Sequence, residues 1–195
     1  MCFVESRVLC LAYNRLMVYI TYFVHGTTID NEQGIATGWL PGELSTAGRE
    51  QAKNLGDMVK GQKFEVVFCS DLQRAIDSAE LGFGGTYQIV QDERLREANY
   101  GDMNGKVHTF KDTMTDCIDT PFPNGESYRD VEKRLRSLCD FLKQNYEGKH
   151  IAIVAHQGPQ LALDVILRGR TWEQAIAEDW RKQKAWQPGW QYVIN

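Results

Sequence analysis

Three short apolar runs constrain this chain more than any other feature. MVYITYFV (17–24), FEVVFC (64–69) and IAIVA (151–155) are dominated by β-branched and aromatic residues and are too short for buried helices. IAIVA is unbroken by any polar residue, the pattern of a strand covered on both faces in a parallel sheet. Between the runs the apolar period changes to that of a helix. Ala47, Ala52, Leu55 and Val59 recur at helical spacing after Ser45 and Thr46, either of which can cap the start, and Gly61 is a natural stop. After the second run, Ser70 or Asp71 is expected to cap a helix running to about Leu81, broken by Gly82, Gly84 and Gly85. TYQIV (86–90) then reads as a third strand. Residues 91–125 look irregular, with a short helix near 110–117 and turns at Pro121 and Pro123. The segment 126–146 is the strongest helix, with Val131, Leu135, Leu138 and Leu142 on one stripe and Gly148 beyond its end. Further helices are expected at 158–168 and 171–180, and WQYVI (190–194) as a last strand. This alternation predicts an α/β fold, a three-layer α/β/α arrangement around a mostly parallel central sheet.

Composition narrows the partners. The 195 residues suit one domain, and 43% hydrophobic with 25% charged residues is ordinary for a folded chain. A net charge of −4 offers no basic excess for a nucleic-acid backbone. No stretch approaches the roughly 20 apolar residues of a membrane span. Residues 1–16 are interrupted by Glu5, Arg7 and Arg15, unlike a signal peptide, and read as an N-terminal extension ahead of a single domain at 17–195. Five cysteines, at 2, 10, 69, 117 and 139, form neither a disulfide framework nor a metal pattern, which points to free thiols in a reducing, cytoplasmic compartment. The histidines at 25, 108, 150 and 156 lack the spacing of metal ligands, so no metal and no other cofactor is expected. No oligomeric state follows; a dimer is one compatible arrangement.

In open α/β sheets ligands gather at the carboxyl ends of strands. His25 lies just past the first apolar run, Ser70 to Arg74 past the second, and His156 past IAIVA. Two imidazoles and a guanidinium distant in sequence are thus expected at one sheet edge.

At these positions the sequence resembles the histidine phosphatase superfamily, the phosphoglycerate-mutase-like enzymes. HGTTIDN (25–31) looks like the family's phosphate-binding signature. ATGWLPGELSTAGREQA (36–52), CSDLQRAIDSA (69–79), LREANYGDMNG (95–105), NGESYRDVEKRL (124–135) and VAHQG (154–158) resemble its further motifs in the same order. The resemblance implies that His25 takes the phosphoryl group and that Glu97 protonates the leaving oxygen. It implies phosphate binding by Arg74 and His156, with Gly26, Thr28 and Asn31 nearby, and substrate contact by Thr37 and Gly38. Gln157 stands where a small residue often follows the second histidine, and is expected to narrow the pocket. The chemistry is coherent: neutral imidazole is a nucleophile for phosphorus, guanidinium and N–H donors match the phosphoryl oxygens, and a carboxylic acid spares the expulsion of a bare alkoxide.

One departure stands out. The family motif is Arg-His-Gly, and here Val24 precedes His25. The run YFV-HG reads as the usual strand with the arginine deleted and the gap absorbed in the loop, because a one-residue strand slip would invert its faces. Three functions are therefore in view. The first is a phosphomonoesterase acting on a small phosphorylated metabolite. The second is a phosphoglycerate mutase, disfavoured because only Gly101 to Asn124 separates two motifs that a longer insertion separates in that branch. The third is a weak or inactive phosphate-binding relative. Met103, His108, Phe110, Trp172, Trp180, Trp186 and Trp190 are either pocket walls for a ring-bearing substrate or packing residues.

Overall fold

A computed structural model describes residues 17–107, 110–179, 181 and 189–195. The 1–16 extension, His108, Trp180 and Trp186 lie outside the described residues, as does the side chain of Phe110. The chain order is β1 (Val18–Val24), α1 (Ile29–Glu32), β2 (Ile35–Ala36), α2 (Thr46–Met58), β3 (Val67–Cys69), α3 (Gln73–Phe83), β4 (Ile89–Gln91), β5 (Lys106–Val107), α4 (Tyr128–Asn145), β6 (His150–Ala155), α5 (Gln157–Arg168), α6 (Trp172–Ala177) and β7 (Trp190–Ile194). The main sheet runs β4-β3-β6-β1-β7, while β2 and β5 form a separate antiparallel pair. Strands β4, β3, β6 and β1 are parallel, and β7 closes the edge antiparallel to β1. The expected mostly parallel sheet is present.

Alternation along the central strands builds the two outer layers. Ile20, Tyr22, Phe68, Ile151 and Ile153 face one side, where they join Leu135 and Leu138 of α4 and Leu161 of α5. Phe23, Val67, Cys69, Ala152 and Val154 face the other, against Leu55 of α2 and Ala79 and Phe83 of α3. The stripe Val131, Leu135, Leu138 and Leu142 is buried as expected, each side chain contributing roughly 1.5–3 kcal/mol of apolar burial.

Helix starts separate the right expectations from the wrong ones. Ser45 caps α2 by accepting from Gly48 N, and Ser127 forms a reciprocal capping box with Asp130 at α4. Neither Ser70 nor Asp71 caps α3. Its N-cap is Leu72, which has no side-chain cap, and the Ser70 hydroxyl accepts from Leu72 N instead. Helix α3 also continues through Gly82 to Phe83, and Gly82 packs against Leu55 and the Ala52 carbonyl of α2, where a larger residue would not fit. Among the residues considered for a pocket, Trp172 packs on Tyr128, Trp190 on Tyr22, and Met103 against the main core. They are packing residues.

Strand register positions the site. Val24 pairs with Ala155 and Cys69 with Val154, so β1 and β6 end level and β3 ends one residue earlier. His25 and His156 therefore emerge side by side, and Ser70 leaves β3 one step earlier along the sheet. Strand β1 holds its pairing with β6 without interruption from Tyr19 to Val24, and His25 N donates to Ala155 O.

Candidate active site

A cavity of about 290 Å³ opens at this carboxyl edge. His25, Asn31, Thr37, Gly38, Arg74, Glu97 and Gln157 of the sequence-derived set line it. Gly26, Thr28 and His156 stand behind its wall.

His25 is held in one tautomer. Its Nδ1 lies 2.7 Å from the Gly26 carbonyl, which only accepts, so Nδ1 carries the proton. The lone pair is then on Nε2, which accepts from Arg74 Nε–H at 3.3 Å. Enclosure by the site walls pushes the His25 pKa down to about 3, and the neighbouring Arg74 charge adds to the shift. The imidazole is thus a free base at neutral pH. The His156 ring centre is 5.0 Å from that of His25. His156 is fully buried, and neither ring nitrogen has a hydrogen-bond partner among the described residues. Burial, with Arg74 and His25 adding, holds its pKa well below the ordinary range.

Arg74 lies in the first turn of α3 and is almost wholly buried. Its Nη1 donates to the Leu40 and Pro41 carbonyls at 2.8 and 3.2 Å, and its Nη2 to Gly38 O at 2.8 Å. The loop 37–41 is wrapped around the guanidinium. Gly38 has φ +54°, and a Cβ there would overlap Asn104 Oδ1, so this turn requires glycine. Ser78 couples the arginine to the nucleophile loop, because its hydroxyl donates to Arg74 O and accepts from Gly26 N.

Glu97 sits in irregular chain fixed by long-range donors. Arg134 of α4 donates to the carbonyls of Arg94, Arg96 and Glu97, and Trp39 Nε1 donates to Glu97 O. Three backbone N–H groups converge on the carboxylate: Ala98 and Gly158 on Oε1 and Gln157 on Oε2. Two of them belong to the first turn of α5, where the helix dipole favours negative charge.

The remaining expected residues divide. Asn31 accepts from Thr28 N through Oδ1, leaving its NH2 as the group with donors to give. The Thr37 hydroxyl donates to Asp30 at 2.8 Å. Thr28 is completely buried and caps α1 by accepting from Asn31 N, so it shapes the loop and does not face the cavity. Gln157 lines the cavity, its amide donating to Asp179. Sequence reasoning missed Thr27, Gln51, Tyr100 and Arg181 in the lining, and Arg134 and Asp179 behind it. Gln51 lies within the quoted QA motif, which was signal enough to single it out. Arg181 follows α6, where no periodic pattern marks it.

Fold and site together define the class: a three-layer α/β protein of the phosphoglycerate-mutase type, with paired histidines, an arginine and a glutamate at the carboxyl edge of its sheet. The chain belongs to the histidine phosphatase superfamily (branch 1), whose model matches residues 22–182. It is 30% identical over 169 residues to a 2,3-bisphosphoglycerate-dependent phosphoglycerate mutase of Methylorubrum extorquens, covering 75% of this chain and 77% of the relative. The alpha-ribazole phosphatase of Shigella flexneri superposes with a TM-score of 0.71 at 26% identity, over 82% of this chain and 83% of that one. A mycobacterial glucosyl-3-phosphoglycerate phosphatase, solved with VO3, gives 0.72 at 29% identity, over 82% and 86%. Members of the family act on small phosphorylated substrates. Among the described residues no helix is long and apolar enough to cross a membrane.

Proposed function

We propose that this chain is a phosphomonoesterase that hydrolyses a small phosphorylated metabolite through a phosphohistidine on His25, without a metal. The observation that carries the reading is the fixed tautomer of His25, with its Nε2 lone pair at the cavity beside Arg74 and Glu97. Nε2 attacks phosphorus as the bond to the ester oxygen breaks. Glu97, in its acid form, gives its proton to that oxygen. The Gly26 carbonyl keeps its bond to Nδ1–H and stabilises the positive charge that the ring acquires. Arg74 Nε–H, released from Nε2, turns to a phosphoryl oxygen. In the second step Glu97 as carboxylate takes a proton from water, the water oxygen attacks phosphorus, and the P–N bond breaks. Inorganic phosphate leaves and neutral His25 returns. Splitting one displacement into two and stabilising the equatorial oxygens are the expected sources of rate.

Mutase activity is the second reading, supported by the names of several relatives. The short 101–124 segment favours hydrolysis. A panel of phosphorylated metabolites read by free phosphate, run with chelator and beside His25→Ala, tests the proposal. Turnover that persists in chelator and falls roughly 10³-fold or more in His25→Ala is expected. Phosphoglycerate interconversion without phosphate release would replace hydrolysis with mutase chemistry. Full activity in His25→Ala would reject both.

A further inference from the structure

The hydrogen-bond capacity of Arg74 leaves a deficit at the phosphoryl site. A guanidinium has five N–H donors. In Arg74 Nε–H faces His25, the Nη1 pair serves the Leu40 and Pro41 carbonyls, and one Nη2 donor serves Gly38, so a single N–H remains uncommitted. His156 is enclosed and held in its neutral form, so it adds no charge. The residue before the nucleophile, Val24, lines the cavity and has nothing to give. A dianionic phosphoryl group at His25 needs more positive charge than Arg74 alone presents.

Among the described residues the lining contains one further guanidinium. Arg181 borders the cavity, and its charge reaches His25. The side chain is held from behind: Nη1 donates to Asp179 at 2.7 Å and reaches Gln160 Oε1 at 3.5 Å, with the guanidinium carbon 6.0 Å from the centre of the Trp190 ring. Asp179 is buried, at 6% exposure, and its other oxygen accepts from the Gln157 amide. Gln157 N in turn holds Glu97. A buried ion pair contributes little net stability, because desolvation offsets attraction. Its effect is to fix the Arg181 guanidinium in the lining of the cavity that also holds His25 and Arg74, which suits a cation pre-set for an anion.

We propose that Arg181, positioned by Asp179, is the second guanidinium of the phosphoryl site and does the work for which Val24 has no functional group. This rests on the assignment of His25 as the phosphoryl acceptor. It places a phosphate-binding cation in the segment after α6 and makes Asp179 a positioning residue.

Calorimetric titration with inorganic phosphate tests the proposal on the full chain, comparing the parent with Arg181→Gln and Arg181→Lys. Arg181→Gln is expected to bind phosphate on the order of 10- to 100-fold more weakly. Arg181→Lys should fall between the two, because it keeps the charge and loses the fork. Thermal unfolding is measured on both variants, and if the glutamine variant does not fold, the lysine variant decides. Phosphate binding within twofold of the parent in a folded variant would overturn the proposal. So would unchanged phosphate binding combined with a raised KM for a larger phosphomonoester, which would place Arg181 against the rest of the substrate. A parent that binds phosphate and turns nothing over would sink the hydrolase reading, while the titration still decides the role of Arg181. A parent that binds no phosphate would overturn both.

Discussion

At His25, protonation and nucleophilicity compete for one lone pair. Enclosure and Arg74 settle the competition in favour of the free base, with a pKa near 3. In a 15N-histidine NMR titration, His25 and His156 are expected to keep their neutral signatures between pH 7.5 and 5. A midpoint near 6.5 for either ring would contradict the burial described. Glu97 carries a different expectation. Glu97→Gln keeps an oxygen for the N–H donors and removes the transferable proton. Phosphate esters with poor leaving groups should slow by roughly 10²–10⁴-fold. p-Nitrophenyl phosphate, whose phenolate leaves readily, should slow much less. Equal losses in the two classes would remove Glu97 from the acid role.

The site depends on where elements end and how closely they approach. Gly158 opens α5 against Glu97, and a Cβ there would lie 2.5 Å from Glu97 Oε1. Gly158→Ala should displace the carboxylate and slow poor leaving groups at least 10-fold, with phosphate affinity little changed. Steady-state kinetics on the two ester classes checks this, and unchanged kinetics would show that the carboxylate has room. Gly48 of α2 faces the nucleophile loop, and a Cβ there would lie 1.9 Å from the Thr27 carbonyl. Backbone on both sides cannot yield cheaply, so Gly48→Ala is expected to cost about 1–3 kcal/mol in urea unfolding. The strand ends were legible in the sequence because the apolar runs stop abruptly at His25, Ser70 and His156, and sheet register then brings them together. The α3 cap was not, since a serine near a helix start looks the same whether it caps the helix or the preceding turn. Arg134 and Arg181 were hidden for another reason. Each acts on chain tens of residues away or from aperiodic sequence, and only tertiary placement gives it a role. Thr28 carries the opposite lesson, for a residue within the signature loop serves a helix cap behind the cavity wall.

Over the whole molecule, the enclosed imidazoles link the site to stability. His25 and His156 are neutral when folded, with pKa values below the 6.5 of a free imidazole. Below pH 6.5 the unfolded chain takes up protons that the native site refuses, so unfolding gains ground. Their contribution is complete above pH 6.5 and is lost as pH falls below it, for His25 down to about 3. Thermal unfolding midpoints should drop across that window, and His156→Gln should flatten the slope; an unchanged slope would mean that His156 does not carry the linkage. The same enclosure that lowers stability in acid keeps the nucleophile unprotonated at neutral pH, which ties the fold to the proposed chemistry. The most direct test is to trap that chemistry. The protein is mixed with p-nitrophenyl phosphate, quenched in base after a few milliseconds, and its peptides are weighed. The expected result is one acid-labile, base-stable phosphoryl group on the peptide carrying His25, absent from His25→Ala. Turnover by the parent with no phosphoryl group on His25 at any quench time, or with one on another residue, would contradict it.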